Sequence, residues 1–335
     1  MDRPQVPGAE PTLPALDHDD EDATATAIES RTLRIPSASH GQRLDKMLVL
    51  LAPEFSRSHL QTLIERGHVQ LDGAPAAPSS RRVRAGQQLQ VELVPTDETL
   101  AFRPESMALQ LLHEDEHMMV VDKPAGLVVH PAPGNWSGTL LNGLLAHHAG
   151  AAQLPRGGIV HRLDKDTSGV MIVGKTLAAV TALSRAIAAR EVHRHYLALA
   201  WGELAKTQLT IDAPIGRDPV SRVRMAVVAQ GRASRTDVRR VATSDGFSAL
   251  MCTLHSGRTH QIRVHLQHQG HALVADTLYG GKPALGMTRQ ALHAARLRFL
   301  HPITTEPMQF DGPAPSDFAA AWTQVAGVPA RWRNA

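Results

Sequence analysis

The densest run of chemistry-bearing side chains is His161-Arg162-Leu163-Asp164-Lys165-Asp166-Thr167-Ser168-Gly169. Apolar Ile159 and Val160 lead into it, and Val170-Met171-Ile172-Val173 follow it. A polar loop held between two strands is where a rigid scaffold presents reactive groups. Asp164 stands between Arg162 and Lys165, and neighbouring cations keep a carboxylate ionised and nucleophilic. By composition alone, the same residues also make an Asx or Ser/Thr turn closed by Asp166, Thr167 and Ser168. Both readings stand at this point.

Other groupings imitate known chemistry less well. Gly169 to Thr176 matches the spacing G-x-x-x-x-G-K-[ST] of a phosphate loop. That loop needs small, flexible residues around an anion, whereas Val170-Met171-Ile172-Val173 prefer a strand. His193, His195, His260 and His265 suggest zinc, yet one cysteine and no spaced carboxylates accompany them, so no metal is expected. Ser79, Ser80 and Ser184 have no base at useful spacing for hydrolase chemistry.

The elements that must position the loop are legible from periodicity. Met118 to Asp122 reads as a strand, Lys123 to Gly126 as a turn, and Leu127 to Pro131 as a short extended segment. Helices are expected over 139–147 and 176–191, the second with Leu177, Val180, Leu183 and Ile187 in one stripe. Val192 to Ala200 and Ala249 to Leu254 read as strands, the latter burying Cys252 as a reduced thiol. Upstream, residues 41–95 form a separate small unit. It has two helices, the second opened by Ser56 or Ser58 as N-cap, a strand followed by a turn over 69–73, and a closing strand at 89–93. The segment 96–104 reads as a linker and 105–330 as a second, larger domain.

Charge is unevenly distributed. The net charge is +3. Residues 1–30 carry eight acidic side chains against Arg3, a net −7, which leaves +10 on the rest. The acidic stretch has few large apolar residues and is expected to be a disordered tail. A basic body suits a polyanion, because neutralised phosphates release counterions. A single cysteine excludes an internal disulfide framework, and no apolar run reaches the roughly 18–20 residues of a membrane span. The acidic start does not read as a signal peptide, so a cytoplasmic protein is expected.

Two resemblances sharpen this reading. Residues 41–95, with the Ser56-Arg57-Ser58 turn, resemble an S4-type RNA-binding module. The resemblance places Arg43, Arg57 and Arg66 on RNA, as phosphate contacts that position without reading sequence. His161-Arg162-Leu163-Asp164 with Thr167-Ser168-Gly169 resembles the signature of the RluA family of pseudouridine synthases. Arg194-His195-Tyr196-Leu197-Ala198-Leu199, Gly257 to Leu266, and Leu292-His293-Ala294 with Leu297, Phe299, His301 and Pro302 resemble further motifs in the family's order. The runs His130 to Asn135 and Arg289 to Ala294 are similar to the RluD branch. The likeness covers roughly residues 41–310.

The resemblance implies an α+β fold: a mixed, mainly antiparallel sheet in the catalytic domain, preceded by the S4-like α/β domain. It implies isomerisation of uridine to pseudouridine without metal or organic cofactor. The substrate would be large-subunit ribosomal RNA, at the helix 69 stem-loop, and the protein a monomer. Asp164 would be the catalytic carboxylate, as nucleophile or base. Tyr196 would pack on the uracil, since a phenol of pKa near 10 is a poor base at neutral pH. Arg263 would pair with Asp164, with Arg258 next in line, because a guanidinium offers a planar fork and permanent charge. Arg162 would fill the gap left by a flipped uridine. His161 and Leu297 complete the substrate-binding set. Two alternatives stay open: a tRNA substrate, or a non-catalytic RNA-binding assembly factor that keeps the fold. The arginine-rich segment 229–236 reads as an RNA-facing ribbon or as a solvated edge.

Overall fold

A computed structural model describes residues 29–94, 101–132, 134–221 and 223–332. The acidic stretch up to residue 28 lies outside the described residues, as do 96–100 of the expected linker. The chain divides into two compact units between Thr96 and Asp97.

The first unit is a four-stranded antiparallel sheet under two helices. Its elements are β1 (Glu29–Arg34), α1 (Leu44–Leu51), α2 (Arg57–Glu65), β2 (Val69–Leu71), β3 (Ala74–Pro75) and β4 (Gln88–Leu93), with strand order β1-β4-β2-β3. Leu44, Met47 and Leu48 recur at helical spacing on α1, and Leu60, Leu63 and Ile64 on α2. They meet Val69, Leu71, Leu89, Val91 and Leu93 in one core. Ser56 is the N-cap of α2, its hydroxyl accepting from the His59 amide at 3.3 Å. Glu29 and Ser30, expected in the tail, instead begin β1 and pair with Leu93 and Glu92. Their alternation is short and polar, so only the partner strand reveals them.

The second unit is built on a mixed sheet. Its strands are β5 (Leu111–Glu114), β6 (Met118–Lys123), β7 (Ser168–Gly174), β8 (His193–Trp201), β9 (Gln208–Asp212), β10 (Ile215–Arg217), β11 (Met225–Val227), β12 (Arg235–Ser244), β13 (Phe247–Leu254), β14 (Leu292–Leu300) and β15 (Pro307–Asp311). Its helices are α3 (Leu140–His147), α4 (Leu177–Ala188), α5 (Gln261–His268) and α6 (Ser316–Ala326). The main sheet runs β5-β6-β7-β14-β8-β13-β12-β9, with β15 on β14, while β10 and β11 pair separately. The pairing of β7 with β14 is parallel and the others are antiparallel.

Both faces of the sheet centre are covered, so β6 and β7 are buried throughout. Alternate residues sort by face. Met119, Val121, Met171 and Val173 pack with α3, whereas Met118, Val120, Val170 and Ile172 pack with Leu183 of α4. Phe318, Ala321 and Trp322 of α6 cover Leu197 and Leu199 of β8. The phosphate-loop look-alike is thus the buried strand β7, with Thr176 capping α4 through the Ala179 amide at 3.2 Å.

Of the segment 229–236, Arg232 bridges to Ile215 and Arg235 and Thr236 open β12, which pairs with β9 on one side and β13 on the other, so these residues are not a free edge. The later part of the linker is tied down, since Asn142 of α3 donates to the Ala101 and Arg103 carbonyls and Ala101 is buried.

Candidate active site

The loop that ends in β7 is delivered to the sheet centre by the parallel pairing of Ser168 with His293 and Gly169 with Ala294. Gly169 has φ +116°, and a Cβ there would collide with the Ala294 carbonyl. Only glycine lets the two strands approach so closely.

Upstream of that junction, the polar loop is pinned from several directions. Thr167 donates its amide to the Asp164 carbonyl at 3.1 Å, so the turn reading and the reactive-loop reading describe the same residues. Lys123 is fully buried, and its ammonium donates to the carbonyls of Pro124, Leu127 and Lys165 at 2.7–2.9 Å. Burial pulls its pKa down to about 8, so the charged form that satisfies three carbonyls persists at neutral pH. Arg289 donates to the Asp166 carbonyl at 3.0 Å while pairing with Asp317. His161 accepts the Ile172 amide on Nε2 at 2.9 Å, and burial, followed by the nearby Arg194 charge, pushes it down to about 3. A neutral histidine at that spot is a fixture of the loop.

Asp164 emerges from this frame with its side chain 17% exposed. Arg263, on α5, donates Nη1 to its Oδ2 at 3.1 Å. The expected pair is therefore present. Arg263 is also gripped from behind: Nε and Nη2 each donate to Asp276 at 2.7 Å, a bidentate fork. Its guanidinium lies 5.0 Å from the Tyr279 ring centroid. Burial works against the Arg263 charge, but Asp276 and Asp164 outweigh it and raise its pKa. The Tyr279 hydroxyl meets His260 Nδ1 at 2.8 Å, and His260 Nε2 lies 3.9 Å from Asp164 Oδ1. Asp276, Tyr279 and His260 in this role escaped the sequence reading. The signal was available, because Tyr279 is the other of two tyrosines and stands three residues after Asp276.

These residues open onto a cleft of about 690 Å³. His161, Arg162, Asp164, Tyr196, Arg258 and Arg263 all line it. Tyr196 projects from β8 and is 6% exposed, and burial pushes its phenol up to about 12. Roughly one phenol in 10⁵ would be ionised at neutral pH, which favours packing over proton abstraction. Arg162 is exposed at the mouth. The Gln261 side chain accepts the Arg258 amide at 3.0 Å and donates to the Arg235 carbonyl, which shapes the loop before α5.

Leu297 does not join them. It is 2% exposed, in the cluster with Val170, Ile172 and Phe299 beneath α4, while Leu292 and Ala294 pack with the core under the cleft. Alternation along β14 sends it to the other face.

In the first unit, Arg43 and Arg57 converge on Asp45, itself fully buried at the start of α1. Arg43 contacts it with Nε and Nη2 at 3.1 Å, and Arg57 and Gln61 donate at 2.7 and 2.8 Å. These contacts, Arg43 foremost, hold the Asp45 carboxyl well below the usual carboxylate range. Both guanidinium groups keep outward exposure, 39% and 49%. Arg66 ends α2. Among the described residues, no three of His, Cys, Asp and Glu are grouped as metal ligands, and no helix is long and apolar enough to cross a membrane. His193 and His195 stack on β8, and His265 bonds Thr236 and the Ala213 carbonyl.

Residues 117–268 match the family described as RNA pseudouridylate synthase, and residues 42–89 match the S4 domain. Ribosomal large subunit pseudouridine synthase D of Nitrosomonas europaea is 44% identical over 305 residues, covering 89% of this chain and 88% of that one. Its namesake from Xanthomonas campestris is 47% identical over 296 residues, covering 84% and 88%. The solved structure of human RNA pseudouridylate synthase domain containing 1 aligns with TM-score 0.52 and 27% identity, over 70% of this chain and 94% of that one. A catalytic sheet, an S4 module and an acid–arginine–tyrosine cleft in one order, at this identity and coverage, lead to one conclusion: the chain belongs to the RNA pseudouridylate synthase family, with the large-subunit synthases D among its relatives.

Proposed function

We propose that the protein isomerises specific uridines to pseudouridine in large-subunit ribosomal RNA, at the helix 69 stem-loop. The relatives at 42–47% identity carry the large-subunit name, which supports the substrate class. The single observation that carries the chemistry is the half-buried ion pair of Asp164 with Arg263, lining a basic cleft with Tyr196.

The reaction breaks the N1–C1′ bond, turns the uracil and rejoins it through C5, so the C5 hydrogen leaves as a proton and N1 gains one. Two roles fit the carboxylate: attack at C1′, or removal of a sugar proton. In both, the Arg263 guanidinium, donating to Oδ2 at 3.1 Å, orients the carboxylate toward the sugar. The target base leaves its stack to reach the cleft, and Arg162 at the mouth fills the vacated space. The Tyr196 ring then packs against the uracil while it turns. Arg43, Arg57 and Arg66 contact RNA phosphates through the S4 unit.

The test is tritium release from large-subunit RNA labelled at C5 of uridine. Wild type releases label, and Asp164→Asn releases none while folding and binding RNA nearly as before. Substantial release by Asp164→Asn would show the carboxylate is misassigned. Tight binding of wild type without release would favour a non-catalytic RNA-binding role.

A further inference from the structure

The buried arginines of the catalytic unit have carboxylate partners: Arg263 has Asp276 and Asp164, and Arg296 has Asp311. Arg194 is the exception. It is 5% exposed, no acceptor takes a hydrogen bond from it among the described residues, and its Nε is enclosed without a partner. A buried cation without a counter-charge is among the costliest arrangements a fold can hold. Burial accordingly pulls the Arg194 pKa down.

Its surroundings point to what would balance it. Arg194 stands two residues before Tyr196 on β8, on the same face of the strand, and lines the same cleft. That spacing puts it about 7 Å along the strand from the tyrosine. Across from it is Gly257, where a Cβ would lie 2.5 Å from Arg194 Nη1. The next residue, Arg258, also lines the cleft with an enclosed, unpartnered Nε. The Tyr196 phenol, neutral at ordinary pH, cannot supply the missing charge.

We propose that Arg194, with Arg258 across Gly257, is a preformed seat for one backbone phosphodiester of the RNA strand that carries the target uridine. The site rests on the reading that the cleft takes RNA. A guanidinium fork matches phosphate oxygens in a bidentate way, and the strand supplies one such anion per nucleotide. Seating it beside Tyr196 would fix where the sugar of the flipped nucleotide lies relative to Asp164.

The test uses the full-length protein and a large-subunit stem-loop RNA in which single linkages near the target uridine are replaced, one at a time, by uncharged methylphosphonate. Wild type should lose affinity about tenfold at one linkage. Arg194→Gln should bind unmodified RNA about tenfold more weakly and ignore that linkage. Its plot of log K against log salt should be shallower by roughly 0.7–0.9, the release from one phosphate contact. Retained sensitivity at every linkage, with an unchanged salt slope, would overturn the assignment.

Arg194→Met supplies the folding control. A cation kept for a ligand should cost the free protein stability, so the variant should melt higher than wild type without RNA. A lower melting temperature would show a structural role and also overturn the proposal. Inorganic phosphate, titrated at fixed ionic strength, separates a free anion from an RNA linkage. Arg194-dependent stabilisation by phosphate without any linkage effect would remove RNA as the occupant. Tritium release on the same RNA reports separately on the isomerase reading, since linkage sensitivity without release would fault that reading and spare the phosphate seat.

Discussion

Arg263 reaches Asp164 across 99 residues of chain with one nitrogen, and holds Asp276 with the other two. The arrangement makes Asp276 a positioning residue: it touches no substrate but decides where the Arg263 fork points. Asp276→Asn should therefore lower kcat by roughly 10²-fold, the size of effect that follows from small misplacement in a site, with KM little changed. Removing one carboxylate from a buried pair should also cost about 3–5 kcal/mol of stability. Kinetics by tritium release and urea unfolding check both; an unchanged kcat would show that Arg263 needs no second anchor. The Asp164–Arg263 pair was legible because the residues on each side of it form recognisable local runs. Asp276 was not, because a carboxylate buried behind an arginine is a product of tertiary packing. Leu297 erred in the opposite way: it belongs to a matching run, but strand alternation turns it from the cleft.

At the scale of elements, periodicity located both helices of the first unit, the strands β6, β8 and β13, and the helices α3 and α4, since each buries one clear stripe or run. It missed β1, whose exposed, polar strand is defined by pairing with β4. The S4 resemblance, for its part, cast Arg43 and Arg57 simply as RNA contacts, whereas both share buried Asp45 as a common anchor. That anchor yields a prediction with an informative sign. Asp45→Asn makes the unit more positive by one charge, so bulk electrostatics alone predicts tighter RNA binding. If Asp45 serves to preorganise the two guanidinium groups, binding weakens instead, because their ordering must then be met on association. The expected result is weaker binding at constant salt, with a loss of about 1–3 kcal/mol in stability from the groups left unpaired. Tighter binding by the variant would show that the anchor serves folding alone.

The molecule as a whole carries 19 histidines, and the structure gives several of them a shared consequence. Burial holds His130, His195 and His293 at about 4 and His161 at about 3, against 6.5 for the ordinary side chain. All four lie in the catalytic unit. The folded unit therefore binds fewer protons than the unfolded chain between about pH 6.5 and 4, so stability is full above that window and declines as pH falls through it. Asp122 opposes the trend by one proton, because burial raises it to about 6. Each net proton contributes about 1.4 kcal/mol per pH unit. Even half of the sum over three would remove about 2 kcal/mol per unit, enough to dominate a domain of ordinary stability. Carboxylates held low, such as Asp45 and Asp115, add their losses only at more acidic pH. Urea midpoints measured from pH 7.5 to 4.5 should thus fall steadily below 6.5, while His161→Gln, which keeps an acceptor for the Ile172 amide, should show a shallower decline by about one proton. A midpoint that stays level to pH 4.5 would mean the buried rings gain protons without unfolding, and that the loop bearing Asp164 tolerates a charged His161.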